Sequence, residues 1–183
     1  MYEKRIEYKG NDYQMRLRVP EDDDVERMWA LKQESWLTTH SVNIMTLDTQ
    51  RKWWEHAQSD PNSRFLIAEH YDLRSNRWSN VGLYVSSNID WMNRTCVQSH
   101  HVWYSQRGKG YSYPVMVIGC HFVFDVLNLR RIDAEVLTNN PASLRTALRA
   151  GFVEEGVRRN AVERMGETFD STVIGLLRGE LAS

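Results

Sequence analysis

The chain has 183 residues, with 23 Lys plus Arg against 24 Asp plus Glu and a formal net charge of −1. At 42% hydrophobic and 26% charged, the composition is globular rather than disordered, and the length suits a single domain, expected over residues 1–183. The charge balance excludes a broad polyanion binder such as a DNA coat, which needs a basic surplus, so nucleic acid is not an expected partner. No run approaches the ~20 apolar residues of a membrane helix. Met1–Glu7 lacks the apolar core of a secretory signal. A cytoplasmic protein without a membrane partner is expected, with Cys96 and Cys120 as reduced, buried thiols.

The chain opens, in regular structure, at Gln14–Val19, where Met15, Leu17 and Val19 alternate with polar neighbours as in a half-buried strand. Glu21–Asp24 then sets acid at the start of a helix, complementing its positive end. A loop follows, and a second helix runs from Asp48 to about Ser59 with Trp53, Trp54 and Ala57 on its apolar side. Arg64–Glu69, Asn80–Ile89 and Thr95–Tyr104 read as strands joined by short turns, an antiparallel meander, with Tyr71–Asn80 as a polar turn. Tyr113–Leu127 is apolar on most sides, a helix buried against a sheet. Arg131–Leu137 is a strand, Asn140–Ala150 a short helix stopped by Gly151, and Phe152–Arg159 and Phe169–Leu177 are two closing strands. The order βααβββαβαββ predicts an α/β (α+β mixed) domain around a mixed sheet.

The segment Gln106-Arg107-Gly108-Lys109-Gly110-Tyr111-Ser112 lies between a strand and the buried helix. Two close glycines let backbone N–H groups converge, and the following helix aims its positive end at the same point; Arg107 and Lys109 add charge. That combination suits a phosphate or pyrophosphate. The spacing fails the dinucleotide fingerprint, because position 113 is Tyr, and fails the P-loop, because Lys109 is followed by Gly110.

A second segment, Asn140-Pro141-Ala142-Ser143 through Gly151-Phe152, follows a strand directly. It resembles the Asn-x-x-Ser…Gly-Phe segment of the GNAT superfamily of acyl-coenzyme A-dependent N-acyltransferases, and Arg107–Ser112 is similar to that family's pyrophosphate loop. The tail Gly151–Arg159 is similar to the branch containing ribosomal-protein N-terminal acetyltransferases. The resemblance implies a GNAT fold, a twisted mixed sheet of six to seven strands flanked by about four helices, in which two central parallel strands splay at a bulge to admit the pantetheine arm. It implies acetyl-coenzyme A as co-substrate and no metal. Val102, Trp103 and Tyr104 would meet the pantetheine. Residues Arg107, Gly108, Lys109, Gly110, Tyr111 and Ser112 would hold the pyrophosphate, and Asn140 and Ser143 would lie near the thiol end. An amine would attack the thioester directly. Ser112 stands where the family has Gly or Ala. Ala147 stands where many members carry a Tyr that protonates the leaving thiolate, so that role would pass to Ser143, to water or to nothing.

The motifs do not assign a base. His100 and His101 enter the coenzyme loop on adjacent strand positions facing opposite sides, so one of them is expected to face the acceptor cleft; Glu69 is a second candidate. The acceptor side is expected from the first two helices, with Trp36, His40 and Trp54 in contact with substrate. Residues 43–60 loosely resemble amino-sugar N-acetyltransferases. The expected activity is transfer of acetyl to a protein N-terminus, an amino sugar or another small metabolite amine. The alternative is an inactive GNAT-fold module that senses acyl-coenzyme A or docks a partner. A homodimer is compatible with either.

Overall fold

The computed structural model describes residues 1–40 and 45–182. Residues 41–44, in the expected loop between the first two helices, lie outside the described residues, as does Ser183; the amino-sugar likeness at 43–60 is therefore covered only from residue 45.

The strands are β1 (Tyr2–Tyr8), β2 (Asn11–Arg18), β3 (Arg64–Asp72), β4 (Arg77–Asp90), β5 (Thr95–Val102), β6 (Arg131–Leu137), β7 (Val153–Arg164) and β8 (Glu167–Leu177). The helices are α1 (Asp22–Ser35), α2 (Leu47–Ala57), α3 (Ser112–His121) and α4 (Pro141–Arg149). All eight strands join one sheet in the order β1-β2-β3-β4-β5-β6-β8-β7. Only β5 and β6 are parallel; the other neighbours are antiparallel. The mixed α/β architecture is as expected, but the sheet has eight strands rather than six to seven. The extra one is β1, paired with β2 through Lys9 and Gly10 at positive φ, a two-residue turn whose twist suits a hairpin. Its pattern is hidden in the sequence because Lys4 takes a half-buried position, with Nζ 3.0 Å from His121 Nδ1 and 3.5 Å from an Asp125 oxygen. The polar stretch 71–80 is also mostly strand, its turn confined to residues 73–76.

Two cores flank the sheet. On one face α3 and α4 bury Met116, Ile118 and Ala147 against Tyr84, Ile132 and Ile174. On the other, Val25, Met28 and Leu31 of α1 and Trp54 of α2 pack on Ile67, Leu83 and Trp103. The acidic run caps α1 as expected: Glu21 and Asp24 form a reciprocal capping box. Asp24 does more. It is 3% exposed, takes two hydrogen bonds from Arg18 (2.6 and 3.1 Å) and one from Asn80 (2.9 Å), and so ties β2 and β4 to the helix. Burial opposes its charge, but the Arg18 guanidinium and the Glu21 backbone N–H, with Arg27, together more than offset this and hold the carboxyl below its ordinary value.

The feature that positions the site is a fork. β5 and β6 pair only at Thr95–Val97 with Arg131–Asp133 and then part. Next door, β4 carries a bulge: Ala68 pairs with Gly82 and Glu69 with Asn80, so Val81 is the extra residue.

Candidate functional site

The fork opens into a cavity of about 1110 Å³ that reaches both faces of the sheet. Trp103 N–H donates to Val81 O at 3.1 Å, continuing the β4–β5 register. Backbone groups alternate sides along a strand, so those of Gln98, His100 and Val102 turn away from β4 into the gap that β6 has left. Gln98 adds a side chain: it is 6% exposed, lines the cavity, and its Oε1 has no hydrogen-bond partner. A buried acceptor left open costs about 1–3 kcal/mol unless a ligand or water fills it. Backbone donors and acceptors beside that oxygen suit an extended chain of amides, which is the chemistry of a pantetheine arm.

At the end of the groove Gly108 and Gly110 take φ of +76° and +86°, in the region that favours glycine. A Cβ on Gly110 would also stand 2.9 Å from the Tyr13 hydroxyl. The loop feeds the N-terminus of α3, and Arg107, Gly108, Gly110, Tyr111 and Ser112 all line the cavity. Across the groove Asn140 caps α4, its Oδ1 accepting from Ser143 N at 3.3 Å, and both residues line the cavity with Val102. The loop and both capping residues therefore fit the pyrophosphate and pantetheine of coenzyme A. Ala147, 1% exposed, lies in the same wall and offers no hydroxyl.

The two histidines divide between the faces of β5. Cys96 and Val102 share His100's side and pack in the α3–α4 core, while Trp103 shares His101's side and packs in the α1–α2 core. His100 Nε2 lies 3.1 Å from Ser112 Oγ, so the coenzyme-side imidazole holds the first residue of α3. His101 faces the acceptor side. Burial pushes His100 down to about 3 and His101 to about 4, the latter aided by Arg107, and both rings are neutral at pH 7. Glu69, the second base candidate, is taken by Arg16 (2.5 Å) and Arg18 (3.1 Å) and does not line the cavity.

On the acceptor face a different group comes forward. Among the described residues, Glu135 is the one carboxylate in the cavity wall. Arg158 donates to both its oxygens (2.8 and 3.0 Å) and Ser171 Oγ to one (3.0 Å). His40 Nε2 stands 2.8 Å from Ser171 Oγ and 3.4 Å from Glu135. Burial disfavours the charge of Glu135, but the Arg158 and Ser171 hydrogen bonds more than offset this, so its carboxyl is held below the usual range and is ionised. Sequence reasoning missed Glu135 because it is the ordinary polar member of an alternating strand; its partners come from β7, β8 and the segment after α1. Arg164 of β7 fixes that segment, donating to the carbonyls of Trp36 (3.2 Å), Thr39 (3.0 Å) and His40 (3.0 Å).

Five expected site residues lie away from this cavity. Trp54 is 6% exposed and fills the α1–α2 core, because it faces inward from α2; its neighbour Trp53 lines the cavity instead. Trp36 ends α1, where its carbonyl is the Arg164 acceptor. Trp103 is also 6% exposed, with its indole donating to Asn80 and its backbone N–H spent on Val81. Tyr104 begins a 3-10 turn and is 70% exposed. Lys109 points out to Gln106 Oε1 at 3.1 Å.

The family described as acetyltransferase (GNAT) domain matches residues 14–153. The SPbeta prophage-derived N-acetyltransferase YokL of Bacillus subtilis strain 168 is 24% identical over 165 residues, 90% of each chain. The N-acetyltransferase YoaA of the same organism is 35% identical over 70 residues, 38% of this chain and 40% of that one. Among solved structures, spermidine N-acetyltransferase from Vibrio cholerae in complex with CoA and spermine superposes with a TM-score of 0.82 at 20% identity, covering 91% of this chain and 96% of that one. A dodecameric form of spermidine N-acetyltransferase from Vibrio cholerae reaches 0.76 at 20% identity, covering 90% and 94%. Among the described residues no helix is long and apolar enough to cross a membrane.

Proposed function

The chain belongs to the acetyltransferase (GNAT) domain family, and from that premise we propose that it transfers acetyl from acetyl-coenzyme A to a small primary amine bound on the α1–α2 side of the fork. The observation that carries this is the cavity itself. One continuous space joins the Gly108–Gly110 loop and the unpaired Gln98 Oε1 to the carboxylate of Glu135. A solved relative binds CoA and spermine together, which supports the donor and a small amine as acceptor. The solved structures described above are spermidine N-acetyltransferases, so the acceptor is read from the cavity wall rather than from the ribosomal-protein likeness of the tail.

In this mechanism the amine nitrogen attacks the thioester carbonyl carbon, the C–S bond breaks and coenzyme A leaves as the thiolate. Glu135 draws the incoming ammonium, which loses one proton to water to expose its lone pair; the neutral amine then attacks, and Glu135 accepts the second proton as the C–N bond forms. A carboxylate of low pKa suffices, since nitrogen bonded to the tetrahedral carbon is far more acidic than a free ammonium. His101 stays neutral beside this path. With Ala147 at the leaving-group side, the thiolate takes its proton from Ser143 or water. Association into at least a homodimer is also proposed, supported by the dodecameric relative and by the exposed Val153 and Val157 on edge strand β7; light scattering after gel filtration checks it.

The test is calorimetric titration with coenzyme A, followed by thiol release from acetyl-coenzyme A over a panel of primary amines. Binding with amine-dependent thiol release is expected. Coenzyme A binding with no thiol release for any amine would overturn the transfer reading in favour of an acyl-coenzyme A sensor.

A further inference from the structure

The acceptor side of the cavity holds two cations and one anion: Lys32 of α1, Arg158 and Glu135. Arg158 and Glu135 satisfy each other. Among the described residues Lys32 has no carboxylate partner. Its Nζ donates to Gln50 Oε1 at 3.0 Å and lies 3.7 Å from the centre of the Trp53 ring, both neutral groups. Gln50 is 0% exposed and its Nε2 has no hydrogen-bond partner. A half-buried ammonium without a counter-ion, touching a buried amide with an open N–H donor, is a costly arrangement for an empty site. Burial accordingly pushes Lys32 down to about 8. An anion delivered with the substrate would restore the missing partner.

Resting on the acetyltransferase reading above, we propose that Lys32 anchors an anionic group of the acceptor, so that the amine acetylated carries a carboxylate or phosphate rather than further ammonium groups. The anion docks on Lys32 beneath Trp53, and the amine reaches toward Glu135 on the other side of the acceptor space. A polyamine fits this wall poorly. Its first ammonium meets Glu135 as any amine would, but its second meets Lys32, with no carboxylate among the described residues to receive it.

The experiment compares acetyl transfer to β-alanine, phosphoethanolamine, ethylamine and spermidine, in the wild type and in Lys32→Met and Lys32→Arg. The wild type is expected to favour one of the two anionic amines over ethylamine by about ten-fold or more in kcat/KM, the value of one charge-assisted hydrogen bond. The better of the two tells carboxylate from phosphate. Lys32→Met should erase that preference through KM, and Lys32→Arg should recover part of it. Quenching of tryptophan emission by the same amines, lost in Trp53→Phe, reports binding without turnover. Preference for spermidine, or an equal loss by Lys32→Met toward all four amines, overturns the proposal, as does failure of both anionic amines to be acetylated or to quench. Failure of the wild type to bind coenzyme A, by contrast, strikes the acetyltransferase reading itself.

Discussion

The two faces of β5 solve different recognition problems with different materials. Toward α3 and α4, the site is made of main chain: alternate peptide groups at the fork, two glycines at positive φ and the N-terminus of a helix, with side chains such as Gln98 and His100 filling in. Toward α1 and α2 it is made of side chains gathered from distant elements: Lys32, Trp53, His40, Glu135 and Arg158. A coenzyme common to many enzymes can be held by backbone, which every sequence possesses. An acceptor that differs from enzyme to enzyme has to be read by side chains, which a fold can exchange without rebuilding the sheet.

If that division holds, damage on each face should appear in a different measurement. The largest effect is expected for Glu135→Gln, a fall in kcat of about 10²–10³ from loss of the proton acceptor, with coenzyme A affinity by calorimetry unmoved. Loss of coenzyme affinity in that variant would break the separation. Trp54→Ala should destabilise the fold by about 3–5 kcal/mol, the usual cost of emptying a buried tryptophan site. Trp53→Ala should leave the denaturation midpoint nearly in place and act on acceptor KM; equal losses of stability would erase the distinction between the two residues. Gly110→Val should weaken coenzyme A by about 100-fold, combining backbone strain of about 1–2 kcal/mol with loss of close approach, while acceptor selectivity persists at saturating coenzyme. The smallest effects on activity belong to the histidines, which act on stability in acid. Their folded values of about 3 and 4 lie below the ordinary 6.5, so between those limits the unfolded chain binds protons that the folded chain refuses. Stability therefore falls as pH drops from about 6.5 toward about 4. His100→Gln should flatten that decline in thermal melts, and His101→Ala should remove no neutral pKa from the rate profile. A neutral pKa that disappears with His101 would return the base to that ring.

Much of the coenzyme face was legible in the chain. The glycine loop before a buried helix and Gly151 as a stop are local devices, and both stand where their spacing puts them. Gly151 shows why such residues are readable: at φ +104° a Cβ would sit 2.0 Å from Glu180 O, so no other residue fits. The acceptor face was less legible. Helix periodicity places Trp53 and Trp54 on one side of α2, but only the packing of α2 on Ile67 and Leu83 turns Trp54 into the core and leaves Trp53 at the cavity. Trp103, expected at the pantetheine through its backbone, spends that N–H on Val81 because the β4–β5 register continues one residue past the end of β5.

By itself the sequence determined the element order from β2 onward, the glycine stop of α4 and the glycine loop, because each depends on residues within a turn or two of one another. Tertiary structure decided which of two adjacent histidines faces the acceptor, that Glu135 rather than Glu69 is the carboxylate in the cavity wall, and that Lys32 is left without one among the described residues. Those outcomes depend on which charges from separate strands and helices meet: Arg16 and Arg18 neutralise Glu69, Arg158 reaches Glu135, and no carboxylate among the described residues reaches Lys32. Pairing across such distances leaves no pattern along the chain, since the partners share only a place in the folded sheet.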